Sequence, residues 1–328
     1  MKKAAVAFIV VVVVLGAFLF AFSVSAQQGK VYRVGVLAPP GKAEERVYIK
    51  GLRDGLRKIG YAENNLQLNI PTVKTYDELR PIAKGYVEKR TDAIVTQGGT
   101  ATSIAKEATQ DIPIIFISGI SDPVQARFVK SLARPETNIT GLSSFTDPEI
   151  SGKRLELFKE AVPNLERVIL LYNARGENPG HAKSLGVVRE TARKLGLTLN
   201  EKPAKSVDDV DEMLRTVSRK TTDGIFIIGS GLFAEPCEKI STIAIQRKLP
   251  LKGCAIRGAA LFSYEPDGYR MGQRGAWYVD RILKGANPKD LPVETPTKFE
   301  LVINLKTAKQ IGVTIPPNVL ARADRVIK

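Results

Sequence analysis

The feature that most constrains the fold is an alternation of short β-branched runs with amphipathic stretches, which starts near Val31 and begins again near residue 147. The apolar runs predict buried strands, and the stretches between them repeat apolar side chains at helical spacing. Such alternation is typical of parallel sheets built from βαβ units. Two successive series therefore predict an α/β protein with two Rossmann-like lobes around parallel central sheets.

The predicted elements follow the chain in two series. The first comprises strands at residues 32–37, 66–70, 93–96, 114–117 and 139–142, and helices at 45–59, 77–89 and 101–108. The second comprises helices at 147–162, 180–195, 208–219 and 236–248, and strands at 167–172, 197–201 and 224–228. A strand at 261–264, a helix at 267–284, a strand at 300–304 and a helix at 305–311 close the chain.

Length and charge narrow the class of protein. The 328 residues exceed one typical domain and suit two lobes. The formal net charge of +15 is spread among acidic residues along predicted helices, without a basic stripe or a zinc-finger spacing. A nucleic-acid partner is therefore not expected.

The amino terminus resembles a secretory signal. Lys2 and Lys3 precede an uncharged run at residues 4–22, and Ser23-Val24-Ser25-Ala26 supplies small residues for cleavage. We expect residues 1–26 to be a signal peptide and the mature chain to be periplasmic. The alternative is an uncleaved membrane anchor, because the run is nearly as long as the roughly 20 residues that span a bilayer.

Loops after the first-lobe strands are candidates for binding, because ligands of open parallel sheets bind beyond the carboxyl ends of strands. In the loop Gln97-Gly98-Gly99-Thr100, backbone N–H groups and a hydroxyl suit a carboxylate, although a simple turn capped by Thr100 is the alternative. Ser118 and Asp122 lie in the next loop, where Asp122 before Pro123 also suits a helix cap.

The second-lobe loops contribute Asn173, Glu177 and Ser230. Residues 229–234 spell Gly-x-Gly-x-x-Ala after a strand, as in dinucleotide-binding folds. The next strand, however, ends near Lys252 instead of the acid that would hold a ribose, so no nicotinamide cofactor, and no other cofactor, is predicted.

Catalytic constellations are scarce in the sequence. The single histidine, His181, rules out histidine-rich metal sites, and no metal is predicted. A crossover connection brings Cys237 and Cys254 to one sheet edge, where a disulfide and two separate thiols both remain open. Two thiols would suit a periplasmic isomerase or racemase, which is the alternative from another class.

The carboxy-terminal third contains sequence motifs that are typical of one family. The segments Pro292-Val293-Glu294-Thr295-Pro296, 299–309 (Phe-Glu-Leu-Val-Ile-Asn-Leu-Lys-Thr-Ala-Lys) and Thr314-Ile315-Pro316-Pro317 resemble ABC-transporter substrate-binding proteins of the tryptophan- and tyrosine-receptor-like branch. Residues 121–124, 138–141 and 171–173 are similar too. The resemblance covers essentially the whole mature chain.

This resemblance implies a type I periplasmic binding protein with three hinge crossings, near residues 143–146, 262–266 and 292–299. Lobe 1 would comprise residues 31–144 and 264–292, and lobe 2 residues 145–263 and 293–328. The partners implied are a small-molecule ligand, an ABC permease and its ATPase, with the chain itself a monomer and not an enzyme. A sensory ligand-binding module of the same fold is a further alternative.

The ligand expected is a small polar or amphipathic metabolite, either an amino acid or carboxylate-like. Amino-acid-binding members of the family pair an ammonium group with acids at positions where this chain has Ser230 and, near Cys254, Arg257. Arg257 favours a carboxylate, and Glu177 remains a possible counter-charge. The predicted ligand set is Gln97, Gly99, Thr100, Ser118, Asp122, Asn173, Glu177, Ser230, Arg257 and Tyr264.

Overall fold

The computed structural model describes residues 30–120, 122–144, 147–174, 179–229, 231–233, 236–254 and 260–328. The described strands form two sheets, of five and seven strands. No helix among these residues is long and apolar enough to cross a membrane.

The first sheet has the strand order β2-β1-β3-β4-β5 and is parallel throughout. Its strands are β1 (Tyr32–Leu37), β2 (Leu66–Asn69), β3 (Ala93–Thr96), β4 (Ile114–Phe116) and β5 (Ile139–Gly141). Its helices are α1 (Val47–Lys58), α2 (Leu79–Glu88) and α3 (Gly99–Ala108). Because helices cover both faces, β3, β4 and β5 are buried at every residue, and their sequences contain no charged residue.

The second sheet is assembled from the remainder of the chain. Its helices on either side are α4 (Glu149–Ala161), α5 (Pro179–Lys194), α6 (Val207–Thr216) and α7 (Cys237–Gln246). Its first four strands are β6 (Arg167–Asn173), β7 (Thr198–Ala204), β8 (Gly224–Ile227) and β9 (Leu251–Lys252). Then come β10 (Phe262–Pro266), α8 (Gly268–Leu283), β11 (Phe299–Asn304), α9 (Leu305–Ile311), α10 (Pro317–Leu320) and β12 (Arg325–Ile327).

The second sheet, in the order β12-β11-β10-β9-β8-β6-β7, is mostly parallel. β11 is the exception, since it runs antiparallel to β10, and β12 follows it in parallel. The sequence pattern did not predict β12 or this reversal. The reversal arises because the chain leaves β10, packs α8 on the first sheet and returns at the same end of the second sheet, where Phe299 pairs with Pro266.

Four apolar clusters fill the faces of the two sheets. Side chains of α1 and α8 pack on one face of the first sheet, and those of α2 and α3 pack on the other. The second sheet is covered in the same way by α4, α5 and α9 on one face and by α6 and α7 on the other. The predicted fold class, two α/β units of the type I binding-protein kind, is confirmed.

The chain passes between the sheets three times, but two passages lie slightly later than the expected boundaries at 264 and 293. Tyr264 belongs to the second sheet, because the β10–β11 ladder continues to Pro266. Val293 and Glu294 still contact the first unit: the Val293 N–H donates to the carbonyl of Leu132, in a loop, and the Glu294 N–H donates to the carbonyl of Gly141, in β5. Backbone pairing thus holds each segment with its sheet until the ladder ends.

Candidate ligand-binding site

The amino terminus of α3 lies directly after β3 and has no side-chain cap among the described residues. Gly98, at the N-cap position, adopts φ +89°, which glycine tolerates without strain. The Thr102 hydroxyl donates to the Gly98 carbonyl at 2.9 Å and is hydrogen-bonded to the Thr96 hydroxyl at 2.7 Å. The loop is therefore held in place from behind, while its first-turn N–H groups favour an anion.

Two predicted residues lie in this loop. Thr100 is exposed on the first turn of α3, next to Gly99. Gln97 is buried, and its Oε1 atom accepts no hydrogen bond from the described residues. A buried acceptor without a partner is costly, so this amide oxygen is a candidate to accept a ligand N–H.

The loop after β4 touches the loop after β3. The Gly98 N–H donates to the Ser118 carbonyl at 2.9 Å. Ser118 is buried, and its side chain acts to lower the pKa of the Tyr48 hydroxyl on α1. Ser118 and the α3 amino terminus, which the sequence predicted independently, are thus brought together.

Asp122 is engaged with its own backbone. Its Oδ1 atom accepts N–H bonds from Val124 at 3.0 Å and from Gln125 at 2.8 Å. This supports the capping interpretation, although the capped segment is a turn and not a helix. Its expected contact with the ligand remains a prediction.

Some of the predicted ligand-binding residues of the second unit lie among the described residues, and others do not. Asn173 is the last residue of β6, and the Tyr264 ring stacks on Phe299 with centroids 5.3 Å apart. Glu177, Ser230 and Arg257 lie outside the described residues.

A charged cluster at the carboxyl ends of β9 and β10 was missed by the sequence reasoning. It consists of Lys252, Glu265 and Arg154, the last of these on α4. The Arg154 guanidinium pairs with Glu265 Oε2, and its Nε donates to the Tyr264 carbonyl at 2.9 Å. Lys252 Nζ lies 3.6 Å from Glu265 Oε1. A signal was present, because Lys252 and Glu265 are the charged residues near the ends of two short strands that carry no other charge.

Glu265 is the accessible member of this cluster. Its side chain is 45% exposed, compared with 4% for Lys252 and 10% for Arg154. Burial raises the pKa of the Tyr48 hydroxyl, the Ser118 side chain lowers it, and the charges of Glu265 and Asp267 raise it. Glu265 therefore acts by its charge on the Tyr48 hydroxyl, whose pKa Ser118 also influences, and the Ser118 carbonyl accepts from the residue that precedes α3.

The two cysteines form a disulfide between the start of α7 and the residues after β9, with Cα atoms 5.3 Å apart. The question that the sequence left open is thereby answered. Neither sulfur is a thiol, so the pair cannot supply the acid and base that an isomerase would need.

Fold and site together define a class of protein. Its members have two α/β units, which are connected by three passages of the chain, and each unit has polar loops at the ends of its strands. The model of the family described as ABC transporter substrate binding protein matches residues 34–327. The chain belongs to this family, which is not one of enzymes.

Known proteins with similar sequences or folds agree with this assignment to the family. The tyrosine-binding protein of Clostridioides difficile (strain R20291) is 28% identical over 270 residues, which cover 80% of this chain and 73% of that protein. The ABC domain from Streptococcus pneumonia in complex with L-Trp is 25% identical, with a TM-score of 0.74, covering 91% of this chain and 100% of that one. A conserved domain protein from Vibrio cholerae O1 biovar eltor is 31% identical, with a TM-score of 0.72, covering 90% and 100%. The predicted tryptophan- and tyrosine-receptor-like branch is confirmed.

Proposed function

We propose that this protein is the periplasmic receptor of an ABC importer and that it binds an α-amino acid between its two units. The signal-like segment at residues 1–26 and the family support export and delivery to a permease and its ATPase. Two observations carry the proposal: the accessible carboxylate of Glu265, and the amino terminus of α3, which has no side-chain cap among the described residues and favours an anion.

Each end of the site suits one charged group of a zwitterion. The ligand carboxylate would accept N–H bonds from Gly99 and Thr100, where the helix dipole favours negative charge. The ligand ammonium would donate to Glu265, and the Gln97 amide oxygen, which has no hydrogen-bond partner among the described residues, offers a second acceptor. The sequence argued against an amino-acid ligand, because Ser230 and Arg257 stand where family members carry the acids that pair with its ammonium group. In our proposal Glu265, on β10, takes over that pairing.

Closing the two units on the ligand would complete the site. Lobe 1 would contain the first sheet with α8, and lobe 2 the second sheet, joined by the three passages of the chain. Binding then shifts the molecule toward the closed form by the ligand's differential affinity for it. The tyrosine-binding relative and the tryptophan complex make aromatic amino acids the first to test.

The test compares an amino acid with its two fragments in a thermal-shift assay on the protein purified after export. For each aromatic amino acid, the matched amine without a carboxylate and the matched acid without an ammonium are included. We expect only the zwitterions to raise the melting temperature, because only they carry both charged groups. A ligand at 100 times its Kd raises the free energy of unfolding by about 2.7 kcal/mol. Equal stabilisation by the ammonium-free acid would contradict the proposal.

Glu265 provides the matching variant. We expect the double variant Lys252→Met/Glu265→Gln to fold, because it removes one charge of each sign, and to bind at least about 30-fold more weakly by calorimetry. Glu160→Gln is the control, since Glu160 lies on the same helix as Arg154 and pairs with Arg322 in an exposed position. Unchanged affinity in the double variant would exclude Glu265 as the ammonium partner.

A further inference from the structure

Lys252 is a buried cation with weak polar contacts. Its side chain is 4% exposed, and its ammonium lies 5.1 Å from the centroid of the Phe226 ring. Among the described residues, its polar contacts are the Ile227 carbonyl at 3.4 Å and Glu265 at 3.6 Å, both long for a group with three donors. The ammonium is therefore poorly compensated for its loss of water.

The surroundings of Lys252 also carry a surplus of positive charge. Arg154 on α4 occupies the other oxygen of Glu265, so one carboxylate serves two cations. β8 contributes the Phe226 ring and the Ile227 carbonyl, and the charge of Glu265 also acts on the Tyr48 hydroxyl, as does that of Asp267. Burial lowers the pKa of Lys252 to about 8, the charge of Arg154 acts in the same direction, and Glu265 opposes both.

We propose that Lys252 competes with the ligand ammonium for Glu265 and gives up its proton to solvent when the ligand binds. The inference rests on the proposed function, in which an ammonium approaches Glu265. A third cation on one carboxylate is the physical reason, and the neutral amine is the form that a buried site accepts most readily. No covalent bond other than the N–H bond changes, and the released proton passes to the buffer.

A measurable pH dependence follows from this proton release. Below pH 8 the ligand affinity should rise with pH, by up to about tenfold per pH unit for one fully coupled proton. Lys252 would therefore act as a positioning residue. Its charge would determine how strongly the Glu265 carboxylate can pair with the ligand ammonium, and Lys252 would not need to touch the ligand.

The experiment is calorimetry of an amino acid that binds, at pH 6, 7 and 8, in two buffers with different ionisation enthalpies. Wild type is compared with Lys252→Met, which is permanently neutral, and Lys252→Arg, which is permanently charged. We expect wild type to release a proton and to bind more tightly at higher pH. Both variants should lose this pH dependence, and Lys252→Arg should bind more weakly than Lys252→Met. The ligand's own titration is measured in the same buffers and subtracted.

The outcomes separate this inference from the proposed function. Binding with the same pH dependence in Lys252→Met, or proton uptake by wild type, overturns the inference alone. Absence of binding by wild type overturns the proposed function and this inference with it. If a variant fails to fold, NMR titration of the lysine side-chain resonances in wild type decides, because the resonance that titrates near pH 8 must shift to a lower pKa with ligand.

Discussion

At the scale of single residues, two glycines allow the ligand loops to touch. Gly119 adopts φ +80°, and a Cβ atom there would lie 2.7 Å from the Cα of Gly98. A side chain at position 119 would therefore clash with Gly98 and would also be strained at this positive φ. The hydrogen bond between Gly98 and Ser118, and with it the position of the α3 amino terminus, therefore depends on this absence of a side chain.

We expect Gly119→Ala to lower the free energy of unfolding by about 1–3 kcal/mol and to weaken ligand binding, because backbone must move. Gly60→Ala is the matched control, since Gly60 has φ +97° but an added Cβ would meet nothing within 4 Å. Urea unfolding and calorimetry measure the two effects. Equal losses in both variants would show that conformation alone, and not loop contact, matters.

At the same scale, sequence reasoning proposed some residues of the candidate site and did not propose others. Gln97 and Ser118 could be predicted because each follows a recognisable strand. Glu265 could not be assigned, because its role depends on Arg154 and Lys252, which no local pattern connects with it. A charge within a strand also reads as an exposed edge residue until the packing is known.

At the scale of elements, the exposed first turn of α3 should govern binding of the ligand carboxylate. We expect Thr100→Asp to reduce affinity strongly by repelling the carboxylate, while the helix gains about 0.3–1 kcal/mol from an acid near its amino terminus. Thr100→Asn, with a similar shape and no charge, is the control. Calorimetry and thermal unfolding are measured together. Undiminished binding by Thr100→Asp would place the carboxylate elsewhere.

The disulfide links two elements of the second unit. Cys237 and Cys254 are 17 residues apart, and closing a loop of that length stabilises a protein by about 3 kcal/mol. We expect Cys237→Ala/Cys254→Ala to lose about this much unfolding free energy in urea while still binding ligand, because neither sulfur has a chemical role. Wild type treated with a reductant should behave in the same way. Loss of a chemical turnover in the variant would revive the isomerase alternative.

At the scale of the whole molecule, three chain passages join the two units, and ligand should close them. We expect the radius of gyration, measured by small-angle X-ray scattering, to fall when a saturating amino acid is added. The double variant Lys252→Met/Glu265→Gln should show no such change at the same ligand concentration. An unchanged radius in wild type that binds ligand would argue for a site within one unit.

The sequence by itself determined the two α/β series, the glycine-rich loops at strand ends and the family. These features are local, because strand and helix periods and turn residues are written within a few neighbouring positions. Only the tertiary structure decided the reversed strand β11, the disulfide and the cluster around Glu265. Arg154 and Glu265 stand 111 positions apart in the chain, and their pairing exists only because α4 packs against the sheet that contains β10.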